Sequence, residues 1–76
     1  MAAPDMKPWQ QRVVTEHQEL LTKLTKLCVF IDNPALFDPL PKGDQLLLTE
    51  QYRAMRDYEN ILAARIDRFS DAQDSQ

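Results

Sequence analysis

Trp9 and Arg12 stand near one end of the chain, and Arg65, Arg68 and Phe69 stand near the other. These are residue types that hold phosphate esters. A guanidinium fork meets two phosphate oxygens at once, and an aromatic face stacks on a base. A fold that brings the two ends together would make one anion-binding neighbourhood of them, and the free N–H groups at the start of a helix there would add to it. The same residues support a plainer reading. Arg65 pairs with Glu16 across the two segments, and Trp9 and Phe69 close the end of a core, because arginine beside aromatics is common at oligomer contacts.

The remaining candidates point away from catalysis. His17 lies on an apolar seam with Val13 and Leu20, and reads as a partly buried histidine hydrogen-bonded to a neighbouring chain. Cys28 stands beside Leu27 in an apolar row, where a structural thiol is the natural reading. One cysteine allows no intrachain disulfide, and one histidine with one cysteine cannot supply the four ligands of a zinc site. Glu16, Glu19, Glu50, Asp57 and Glu59 are interspersed with lysines and arginines, as on a solvated, salt-bridged face. Arg53 with Arg56, and Lys23 with Lys26, read as solvent-facing charges. Gly43 is the one glycine, so glycine-rich phosphate loops are absent. No nucleophilic triad, metal motif or paired carboxylate is visible. We expect no enzyme and no cofactor.

Two long periodic segments must position these residues. The first runs from Pro8, a good first helical residue, to Ile31. Val13, His17, Leu20, Leu24, Leu27 and Ile31 recur at alternating spacings of four and three, the period of a packed helix. From Asp32 to Gly43 the chain carries three prolines, which forbid a continuous helix. Asn33 is placed to cap one short turn from Pro34, and Leu36, Phe37 and Leu40 are expected to fold back over the hairpin end. The second helix is expected after Gly43, with Asp44 as N-cap, running to Phe69. Its seam reads Leu48, Gln51, Met55, Tyr58, Leu62, Arg65 and Phe69. A hydroxyl on that seam needs a partner, His17 or a second chain for Tyr58. Residues 1–7 and 70–76 are expected to be disordered ends of a helical domain spanning 8–69.

A single loop makes the helices antiparallel, so the fold class is all-α: a two-helix hairpin with a proline-rich connection. Val14, Leu21 and Cys28 on the first helix, and Tyr52 and Ile66 on the second, widen the apolar faces beyond what one partner helix covers. These five are the expected interface of a homo-oligomer, a dimer or larger helical bundle. Small chains with neither disulfide nor metal often gain stability in this way. The net charge of -3 argues against duplex nucleic acid as a partner. The chain has no apolar run of membrane-spanning length and no signal-peptide core before Pro8, and its lone thiol fits a reducing cytosol.

The run from Leu47 through Thr49, Glu50, Gln51, Tyr52 and Arg53 to Met55, Arg56, Asp57 and Tyr58, followed by Ile61, Leu62, Arg65 and Ile66, resembles a family of short proteins of crAss-like and many tailed phages. The first segment matches as well, at Arg12, Val13, Glu16, Leu20, Leu21, Leu27, Phe30 and Ile31, ahead of a loop bearing Phe37 and Leu40. That family is similar in turn to the helical hairpin of phage anti-CBASS and anti-Thoeris proteins. Those assemble into oligomers and sequester the nucleotide second messengers of bacterial immunity. The resemblance implies an anti-defence sponge in the host bacterial cytoplasm, binding a cyclic oligonucleotide or an ADP-ribose-derived signal without catalysis. The sequence departs from the anti-CBASS proteins in their extra N-terminal segment, so the resemblance does not extend to their particular pocket. On that reading Arg12, Arg65 and Arg68 hold phosphates, Trp9, Tyr58 or Phe69 stacks on a base, and Gln51 reads a base edge. The alternative is a small protein-interaction module, such as an anti-CRISPR-like inhibitor or a phage assembly adaptor, whose apolar rows and acidic face engage a protein partner.

Overall fold

The computed structural model describes residues 6–74, with side chains described through Phe69. Helix α1 spans Pro8–Ile31, a short α2 spans Pro34–Phe37, and α3 spans Lys42–Asp74. α1 and α3 lie against each other along their length in an antiparallel hairpin, as the placing of Trp9 against Phe69 and of His17 against Glu59 requires. All the described elements are helical.

Local chemistry sets the ends of each element. Pro8 occupies the first turn of α1, and the Gln10 side chain reaches back to accept the Lys7 N–H at 2.8 Å. That bond satisfies a backbone donor no helical carbonyl can reach. Asn33 caps α2 as expected, its Oδ1 accepting the Ala35 N–H at 3.1 Å. The start of α3 differs from expectation. It begins at Lys42, directly after Pro41, whose carbonyl accepts the Gln45 N–H at 3.0 Å. Asp44 is therefore a first-turn residue rather than the cap, where its charge still favours the helix dipole. Gln45 makes the early start possible. Its side-chain amide nitrogen, Nε2, lies 3.1 Å from each of the Phe37, Asp38 and Leu40 carbonyls, tying the loop down just before the helix.

At the other end α3 continues past Phe69 to Asp74. No proline or glycine lies between them to interrupt the ladder, and extending an existing helix is far easier than starting one. The expected disordered ends fall partly on residues 1–5 and 75–76, outside the described residues.

The core is a thin seam. Val13, Leu20, Leu62 and Phe69 form its buried cluster, with Val14, Met55 and Ile66 packed against it. Leu24 is also buried, and Leu62 is fully enclosed. In the loop, Phe37 and Leu40 are half-buried, whereas Leu36 stays exposed.

Candidate functional site

The antiparallel hairpin places the start of α1 beside the end of α3. Trp9 and Phe69 meet edge to face, with ring centroids 5.4 Å apart and an interplanar angle of 89°, a geometry that aligns ring edge with ring face favourably. Phe69 is buried, whereas Trp9 remains 45% exposed, so much of the indole faces solvent. Arg65 and Arg68, one turn apart on α3, join these rings and Gln10 around a groove of about 270 Å³. Gln10 is only 5% exposed. Its burial was not visible in the residue pattern, because glutamine at that position reads as surface; the backbone bond to Lys7 is what draws it in.

The structure separates the other expected ligand residues from this groove. Arg12 lies on the outer side of α1, along a shallow surface with Thr15, Glu16, Glu19 and Lys23. Tyr58 donates its hydroxyl to Glu16, so Glu16 is engaged by Tyr58 rather than by Arg65. Neither His17 nor a second chain is needed as the tyrosine's partner. Gln51 lies 14 residues before Arg65 on α3, about 21 Å along the axis. It lines a larger groove of about 610 Å³ near the loop, with Lys26, Leu27, Phe30, Leu40 and Leu47 among its walls. Four of the seven expected ligand residues, Trp9, Arg65, Arg68 and Phe69, thus line one groove.

His17 also differs from expectation. Its Nε2 lies 2.9 Å from Glu59 Oε2 of the same chain, and both side chains are largely shielded, at 17% and 18% exposure. The pair bridges α1 and α3 where the sequence reading put a bond to a neighbouring molecule. Of the five expected interface residues, Val14 and Ile66 pack against the hairpin's own core. Tyr52 and Cys28 are half-buried and line a small cleft with Ile31, Asp32 and Thr49, and Leu21 is 38% exposed. The Tyr52 hydroxyl accepts a hydrogen bond from Arg56 at 3.1 Å. Among the described residues, no cluster of His, Cys, Asp or Glu could hold a metal ion, and no helix is long and apolar enough to cross a membrane.

The hairpin thus carries two guanidinium groups and two aromatic rings around one groove at its open end. The Sequestin family model matches residues 7–68, and the chain belongs to that family. The family name suggests a sequestering function, that of a binding protein rather than a catalyst, and leaves the ligand open. No curated protein and no solved structure matches the chain.

Proposed function

We propose that this protein is a phage anti-defence sponge that captures a nucleotide second messenger of bacterial immunity in the host cytoplasm, a cyclic oligonucleotide or an ADP-ribose-derived signal, without turning it over. The convergence of Trp9, Arg65, Arg68 and Phe69 on one groove carries this reading. Two guanidinium groups one turn apart suit a phosphodiester or pyrophosphate, and the open indole suits a base. The groove's 270 Å³ or so is at the lower bound of small-molecule sites, roughly 300–1,000 Å³. One hairpin therefore grips part of a dinucleotide, and a homo-oligomer supplies the remaining wall.

The test is native mass spectrometry of the purified protein with a panel of cyclic di- and trinucleotides and cyclic ADP-ribose isomers, repeated with Arg65→Ala and Arg68→Ala. A defined number of one nucleotide per oligomer, lost in both variants while the helical circular dichroism persists, is the expected result. No binding by any member of the panel, or binding unaffected by both substitutions, overturns it. The other reading, a protein-interaction module such as an anti-CRISPR-like inhibitor or an assembly adaptor, draws on Leu46 at 61% and Val29 at 64% exposure. It requires a protein that co-purifies with the chain in the absence of any nucleotide.

A further inference from the structure

Among the described residues Gln10 is the one buried polar side chain, and it borders the open-end groove with Trp9, Arg65, Arg68 and Phe69. The two ends of its amide have different surroundings. Oε1 accepts the Lys7 N–H at 2.8 Å. That bond fixes which way the amide points, since an oxygen can accept there and an NH₂ group cannot. No partner among the described residues takes the Nε2 hydrogens. No side-chain nitrogen or oxygen among them is both sealed from solvent and unpartnered. Nε2 therefore keeps an opening, and the groove is the opening that Gln10 lines.

The helix cap does not require a glutamine. Glutamate at this third helical position would accept the same N–H and would suit the positive start of the helix better. The first turn of α1 nevertheless carries no acidic residue, in a chain with 12 acidic residues against nine basic ones. What the amide has and a carboxylate lacks is a pair of donor hydrogens.

We propose that Gln10 touches the ligand, its Nε2 donating to a phosphate oxygen held between Arg65 and Arg68, so that the groove grips a phosphate and not the hydrogen-bonding edge of a base. This rests on the nucleotide reading of the groove and deepens it. The lining side chains offer donors: two guanidinium groups, the Trp9 indole N–H and the Gln10 amide. With Oε1 turned to Lys7, no lining side chain is left to accept from the exocyclic amine of a base. A phosphate oxygen accepts only, and meets donors from both helices. The base is left to the open face of Trp9, where stacking does not read its edge. Burial and the backbone bond hold the amide in place before a ligand arrives, so binding costs it little rotamer freedom.

The experiment follows the side-chain N–H signals of the isotope-labelled full chain by NMR as inorganic pyrophosphate, and separately adenosine, is added. The Gln10 amide pair is identified by its loss in Gln10→Glu. Pyrophosphate is expected to shift that pair saturably, together with the Arg65 and Arg68 Nε–H signals, and adenosine to leave it in place. Gln10→Glu keeps an oxygen for the Lys7 N–H, so its urea midpoint is expected at or above that of the wild type, while pyrophosphate binding weakens by about tenfold or more. The wild-type shifts separate contact from the field of the new carboxylate. Absence of pyrophosphate binding, a Gln10 pair unmoved at saturation, equal shifts with adenosine, or wild-type affinity in Gln10→Glu overturns the proposal. Adding the cyclic nucleotide panel keeps the two readings apart. A pyrophosphate contact at Gln10 with no nucleotide bound supports the contact and overturns the sponge. A bound nucleotide that leaves the Gln10 pair unmoved supports the sponge and overturns the contact.

Discussion

Leu62→Ala tests whether the hairpin is held by the thin seam between α1 and α3. Leu62 is fully enclosed and belongs to the same cluster as Val13, Leu20 and Phe69. Truncation removes three buried carbons and leaves a void that two straight helices have little freedom to close, a loss of about 2–5 kcal/mol. A chain of this size is stable by about 4–11 kcal/mol at the usual share per residue, so the change consumes a large part of the total. Leu46→Ala is the matched control. The same atoms are removed, but Leu46 is 61% exposed and lies outside the cluster, so the cost is about 0.5 kcal/mol or less. Urea unfolding followed by ellipticity at one fixed protein concentration compares them, so that any association bears on both variants alike. Equal midpoints for the two variants would refute the assignment of the core to this seam.

Further expectations concern the bonds that fix the hairpin's register and its loop. A double-mutant cycle on His17→Ala and Glu59→Ala is expected to give a coupling of about 1 kcal/mol, since the pair is direct and largely shielded; a coupling near zero would mean that the bridge does not persist in solution. Gln45→Ala releases the Phe37, Asp38 and Leu40 carbonyls together and is expected to cost about 1 kcal/mol. Faster amide exchange at the start of α3 than at its middle would locate that loss. Gly43→Ala is expected to raise stability by about 0.5–1 kcal/mol, because the added methyl meets open space. A destabilised hairpin would show that Gly43 serves the fold of the single chain. Trp9 is the one tryptophan, so its fluorescence reports directly on the open-end groove; a nucleotide that stacks there quenches it, and Phe69→Leu shifts the unliganded spectrum by removing the edge contact.

The open-end groove brings together two aromatic rings, a helix start and two guanidinium groups by a property of the whole hairpin. Arg65 and Arg68 lie more than fifty residues from Trp9 in the chain and adjoin it only because α1 and α3 are antiparallel. The Trp9–Phe69 contact holds that end shut while leaving the indole accessible.

Much of this organisation was legible in residue order. Alternating spacings of three and four from Val13 to Ile31 and from Leu48 to Phe69 can only be satisfied by helices, and three prolines between Asp32 and Gly43 can only be satisfied by a break. One connection between two helices makes them antiparallel, so the meeting of Trp9 with Phe69 also followed. Rotation about each helix axis did not. Seams that carry polar residues are compatible with several small rotations, and tertiary packing chose the one that pairs His17 with Glu59 and Tyr58 with Glu16. That choice turned Arg12 away from the arginine groove and drew Val14 and Ile66 inward, whereas Gln51 is kept from it by its distance along α3. It also left Leu47, Ala54 and Ile61 bare. Neighbours along a sequence determine which residues share a helix face, but only the neighbouring helix determines which face is covered.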